Sequence, residues 1–175
     1  MAGTLRRRQR TQSKKLTLQE NFNMTIAVTL HLLAVVLWVG GMFFAHQVLR
    51  PIAAELLEPP LRQQLWVGVF GRFFPMVWGA IATIVVSGYW MLFVVFGGMG
   101  SSGLYIHIMH GIGLLMIAIY CYVYFIPYQG LKRAVAAQIW PEGKGHIDRI
   151  RDMVGINTLL GLITIAVAAG GRYFH

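Results

Sequence analysis

Residues 31–48 read HLLAVVLWVGGMFFAHQV, an apolar run with an imidazole near each end, His31 and His46. Taken with its flanks, the run extends from about Met24 to Val48. Roughly 20 such residues carry a helix across the ~30 Å hydrocarbon core of a bilayer. The run shows no alternation of apolar and polar residues, which a membrane-spanning strand would require. An open sheet is excluded as well, because lipid offers no partners to unpaired backbone groups.

Three further runs of this kind follow, at residues 74–96, 104–126 (closed by Pro127) and 154–171. The expected fold class is therefore all-α: a polytopic membrane protein whose four transmembrane helices form an up-down bundle in one domain, residues 24–175. Composition agrees. Of 175 residues, 57% are hydrophobic and 12% charged, with a mean hydropathy of +0.61. A soluble domain carries about twice that charged fraction. The net charge of +9 sits in a short tail and the connections, the usual flanks of membrane helices, so it argues for a lipid bilayer and not for nucleic acid as the partner. Cys121 is the only cysteine, which excludes an internal disulfide and a Cys-rich zinc site.

The connections carry their own signals. Pro51 and the pair Pro59-Pro60 interrupt the first, after which Leu61 to Phe73 predicts a short amphipathic helix lying at the interface. The second connection, GGMGSSG, is short and uncharged. The third, Tyr128 to Met153, holds Lys132, Arg133, Lys144, Arg149 and Arg151 against three acids. Its WPEGKG segment predicts a turn, and HIDRIRDM predicts a helical lead into the fourth span.

Residues 1–23 carry six basic residues, few apolar ones and no cleavage motif, so a basic disordered tail is expected there. With the tail included, the positive-inside count is nearly balanced. Counted from Met24, eight basic residues in the two longer connections face only Arg172 on the other side. The count then places the N-terminus outside and the longer connections in the cytoplasm. Met24 is accordingly the expected native start.

An ionisable side chain inside a span is a functional hypothesis by default, because burying it unpaired costs several kcal/mol. The spans hold His31, His46, His107 and His110, and no Asp, Glu, Lys or Arg. Ion pathways recruit carboxylates, whereas a borderline metal or a haem iron takes neutral nitrogen donors. At about 100° per residue, His31, Val35, Trp38, Met42 and His46 share one stripe of the first span. His107, His110, Gly111, Leu114 and Cys121 share another on the third. Spans one and three run parallel in an up-down bundle, so His31, His107 and His110 fall within about 6 Å of one depth. These three are the candidate metal ligands. His46 lies about 22 Å further along and is expected at the opposite interface, facing water. His146 is expected to be solvent-exposed in its charged connection, and His175 is a weak candidate at a free end. Met42, Met109 and Met116 could serve copper(I), but Met109 points away from the His107/His110 stripe, and methionines in a greasy chain usually pack. Asn157 is a polar group suited to hydrogen bonding within the core.

The segments LHLLAVVLWVGGMFFAHQVLRP, FGRFFPMVWGAIATIVVSGYWM, GLYIHIMHGIGLLMIAIYCYVYF and IRDMVGINTLLGLITIAVAAGGRY resemble the small CopD-like membrane proteins of Gram-negative bacteria, related to the copper resistance D domain. That resemblance implies a four-helix inner-membrane protein associated with copper handling. The larger copper proteins of that name have additional spans and elements that this chain lacks. The His-x6-Trp-x-Gly-Gly pattern at His31, Trp38, Gly40 and Gly41 is also similar to the start of the membrane protoporphyrinogen-oxidase family, which would imply haem b on His31. The similarity to that family ends after the first span.

Three readings follow from the residues and the resemblance together. In the first, His31 with His107 or His110 binds a copper ion for uptake, transfer or resistance, with a periplasmic copper protein as partner. In the second, His31 and His110 (or His107) are axial ligands of a b-type haem, the bundle being an electron carrier beside a respiratory-chain component or a membrane oxidase. In the third, the protein is a non-catalytic assembly subunit. Enzyme activity, an oxidoreductase, belongs only to the haem reading. No nucleophile triad, zinc-protease motif, phosphate loop or acid pair is present in the sequence.

Overall fold

The computed structural model describes residues 2–95 and 97–171, without the side chains of residues 2–11, 13 and 16. Its described residues form helices and short turns, with no strand among them. Four of the helices are long and apolar enough to cross a membrane. The first, α1, runs without a break over residues 2–56, with two π-helical turns at Val36–Gly40 and Ala45–Leu49. It is followed by α2 (Pro59–Val94), α3 (Leu104–Phe125), α4 (Pro127–Ala136) and α5 (Trp140–Gly170). Short connections between the long helices make chain neighbours antiparallel, the arrangement of an up-down bundle.

Four sequence expectations change. Residues 2–23 are helical, continuous with the first span, where a disordered tail was expected. No proline or glycine interrupts residues 4–39, and the Arg, Lys, Gln and Leu in the tail are good helix formers. Residues 61–73 are not a separate interfacial helix. They are the first third of the 36-residue α2, which runs straight through Pro75. A proline is tolerated in a bilayer helix because neighbouring groups re-satisfy the freed backbone. The WPEGKG segment is not a turn but the opening of α5, with Pro141 in the first turn, where its missing N–H is not needed. The chain reverses just before it, at Gln138, which takes a positive φ of 58°. Tyr128 to Ala136 is also helical, because Pro127 both ends α3 and begins α4.

At 36 and 31 residues, α2 and α5 are about 54 and 46 Å long. They outreach the hydrocarbon core and project at the end that carries the longer connections. An aromatic seam joins α2 to the third and fourth helices. Trp66, Phe70 and Phe74 stack along α2 at 5.1 Å spacings. Tyr128 meets Phe74 edge-on at 4.8 Å, and Tyr120 meets both Phe74 and Trp78 edge-on. Edge-to-face pairs of this kind contribute ~0.5–1.5 kcal/mol each beyond their area. The Tyr120 hydroxyl donates to the Phe74 carbonyl at 2.9 Å, so the seam is also pinned by a hydrogen bond. By contrast, Leu33, Val36, Phe44, Val86, Phe93 and Leu159 are exposed. Apolar side chains on the outside around an aromatic core are the pattern of a lipid-facing bundle. The protein is a multi-pass membrane protein.

Candidate functional site

His31 stands on α1 with its ring turned toward α2, where Nδ1 lies 2.9 Å from Ser87 Oγ. The Ser87 hydroxyl donates its single proton to the Thr83 carbonyl at 2.5 Å, with the Ile84 carbonyl 3.4 Å away. With that proton committed, Oγ can only accept from the ring. The hydrogen-bond network therefore assigns the proton of His31 to Nδ1 and leaves the lone pair on Nε2. A hydrogen bond at one ring nitrogen that fixes the tautomer and frees the other is how metal-ligating histidines are oriented. Gly88 permits the close approach, since a Cβ there would lie 3.3 Å from His31 Cε1.

His31 lines a cavity of about 310 Å³ walled by all four long helices. His110 of α3 lines the same cavity and meets Tyr89 of α2 edge-on at 5.5 Å. His107 is exposed and is not part of the wall. Among the described residues no three of His, Cys, Asp or Glu come close enough to hold a metal ion. The structure thus brings His31 and His110 to one cavity and leaves His107 outside it.

The remaining donors there are ones that sequence reasoning set aside or passed over. Met109 and Met116 of α3 and Met91 of α2 line the cavity beside the two imidazoles. Met109 was discounted because it points away from the histidine stripe. The wall of α3 is in fact formed by Ile106, Met109, Gly113 and Met116 as well as His110, a face turned by about one residue, ~100°, from that stripe. Met91 carried no signal in its own sequence context.

Trp38 separates this cavity from a second one of about 180 Å³ deeper in the bundle, since it lines both. Met42 and Asn157 line the second cavity. Asn157 is 2% exposed and donates from Nδ2 to Met42 Sδ at 3.7 Å, while its Oδ1 and the Trp38 Nε1 have no partner. His46 is half-buried between α1 and α5 beside Gly155 and lines a small cavity with Arg50 and Arg151; it was expected to face water. His146 is a clearer correction. It lies within α5 with a side chain 17% exposed, its Nε2 3.6 Å from Glu142, its ring packed against Gly130. The lead into the fourth span is helical from Trp140 onward, which turns His146 toward α4. His175 and Arg172 lie outside the described residues.

The fold and this site define a helical membrane bundle with a partly open, mostly apolar cavity between its spans, lined among others by two imidazoles and three thioethers. A profile of the CopD family, Copper resistance protein D, matches residues 67–170. The match covers more than half of the chain, and the protein belongs to that family. The matched region takes in Ser87, Met91, Met109, His110 and Met116, while His31 on α1 precedes it. A search of curated proteins gives no match, and a search of solved structures gives none either.

Proposed function

We propose that this protein handles copper at the bacterial inner membrane by binding the ion in the four-helix cavity. His31 Nε2 and His110 supply nitrogen, and Met91, Met109 and Met116 supply sulfur. The observation that carries this reading is the shared wall: two imidazoles and three thioethers around one cavity of about 310 Å³. Soft thioethers with imidazole select copper(I) over harder cations, and membership of the Copper resistance protein D family points to the same cargo. His107, exposed one turn before His110, is the first imidazole that an ion meets on its way to the cavity. The protein takes copper from, or gives it to, a periplasmic copper protein at this end. The N-terminus of the domain then lies on the periplasmic side, with the basic connections in the cytoplasm.

A b-type haem would use His31 and His110 as axial ligands, and a non-catalytic assembly subunit would use them only as bonds between helices. The thioethers favour an ion over haem in this cavity. Metal analysis and a reduced-minus-oxidised absorption spectrum of detergent-purified protein, produced with adequate copper and haem, separate the three. Near-stoichiometric copper that falls in His31→Ala supports the proposal. A haem band lost in His31→Ala overturns it in favour of the cytochrome, and a protein holding neither overturns it in favour of the assembly role.

A further inference from the structure

At the end of the bundle opposite His31, a cavity of about 510 Å³ opens between α1, α2 and α5. Its charged walls are Arg50, Arg62, Lys144 and Arg151, with Asp148 as the single acid. Asp148 is already bound to Arg151 at 3.0 Å, and Arg151 also reaches Asp152 at 2.8 Å. Arg50, Arg62 and Lys144 form no salt bridge among the described residues. Three long helices thus bring three cations without a salt-bridge partner to one concavity, which favours an anion there. Gln63, which donates from Nε2 to the Trp140 carbonyl at 2.8 Å, is the one uncharged polar side chain of the wall, and the rest is apolar and aromatic, with Pro59, Trp66, Trp140, Pro141 and Ile147. A bare inorganic ion would leave that wall and most of the volume unused.

We propose that this cavity is a binding site for a phosphate group carried on an organic body, with Arg50, Arg62 and Lys144 holding the phosphate and Trp66 and Trp140 packing against its carrier. Two sources supply that chemistry at a membrane surface: the headgroup of an anionic phospholipid, and a soluble phosphate ester. Basic pockets between transmembrane helices take phospholipid headgroups by the same pairing. Lysine and arginine both bind phosphate, arginine with two parallel hydrogen bonds. The site is separate from the copper cavity and stands or falls independently of it.

The test uses the full chain purified in a non-ionic detergent, stripped of lipid. Phosphatidylglycerol, phosphatidylcholine and glycerol phosphate are each titrated, with retention read by native mass spectrometry and tryptophan fluorescence as a second signal. The expected result is saturable binding of phosphatidylglycerol or glycerol phosphate over phosphatidylcholine. Which of the two binds at the lower concentration identifies the source. Arg62→Gln combined with Lys144→Gln weakens that binding by about tenfold or more, while Arg149→Gln, exposed and outside the cavity, leaves it unchanged. Arg62→Lys retains most of it, and an unchanged thermal transition in each variant shows that the fold persists. Equal binding by the double variant and the wild type, or no preference for either phosphate over phosphatidylcholine, overturns the proposal.

Discussion

Ser87 and His31 are joined by a 2.9 Å hydrogen bond between α2 and α1, and the serine's own proton is directed along its helix to the Thr83 carbonyl. One hydroxyl thereby decides which ring nitrogen of His31 is free to bind. Ser87 is 7% exposed, so no bulk water replaces it as the acceptor.

Ser87→Ala removes that acceptor from the His31 ring, and the lost hydrogen bond costs about 0.5–1.5 kcal/mol. Its sharper expected effect is on the proposed copper site. Loss of a residue that orients a ligating histidine lowers metal affinity about 10- to 100-fold. Competition titration with a copper(I) chelator measures this, and equal affinity in Ser87→Ala and wild type would separate Ser87 from the site.

The thioethers are tested by leucine. Leucine replaces methionine at nearly constant volume, at a stability cost under ~1.5 kcal/mol. Met91→Leu, Met109→Leu and Met116→Leu combined keep the cavity wall and remove its sulfur. Copper(I) retention falls by an order of magnitude or more, while any haem held between His31 and His110 would be retained. Copper content and the absorption spectrum of one preparation give both readings.

Tyr120 offers a contrast, since it stabilises the fold from outside the first cavity. Tyr120→Phe keeps the ring contacts with Phe74 and Trp78 and deletes only the bond to the Phe74 carbonyl. The expected loss is ~0.5–1.5 kcal/mol, seen as a lower thermal transition in detergent with copper affinity unchanged. A drop in affinity with no change in the transition would contradict this division of roles.

Gly161 holds α5 close to α1 and α3. A Cβ there would lie 2.7 Å from Val39 Cγ2 and 3.2 Å from Met116 Cε. Gly161→Val therefore forces the helices apart and displaces a proposed sulfur ligand, at about 1–3 kcal/mol. Both the thermal transition and the copper affinity decrease, the first in the apoprotein as well. Gly113→Ala on the same cavity wall, with nothing within 4 Å of its Cβ position, is the mild control.

How far the sequence could be read differs by element. Run length and the lack of charge located all four spans, because a bilayer imposes its thickness on any helix that crosses it. Pro127 marked the end of α3 correctly, since it begins a new helix there. Pro75 and Pro141 carried no such meaning. One is absorbed within a long bilayer helix, and the other sits in the first turn, where proline is favoured. The basic segment before Met24 read as disordered from its charge, yet it contains nothing that stops a helix begun in the first span.

The sequence by itself determined that the chain is helical, has four helices long and apolar enough to cross a membrane, and carries histidines within those spans. These properties follow from composition and local periodicity, which any short window reveals. The tertiary structure alone decided which of these side chains line one cavity. The face of α3 was inferred from its histidines, but helix packing turned that face by about one residue, drawing in Met109 and Met116 and leaving His107 outside. Met91 joins from another helix, and Ser87 reaches His31 across 56 residues of chain. Side-chain direction depends on how helices rotate to bury their bulk against one another, and that rotation is a property of the whole bundle.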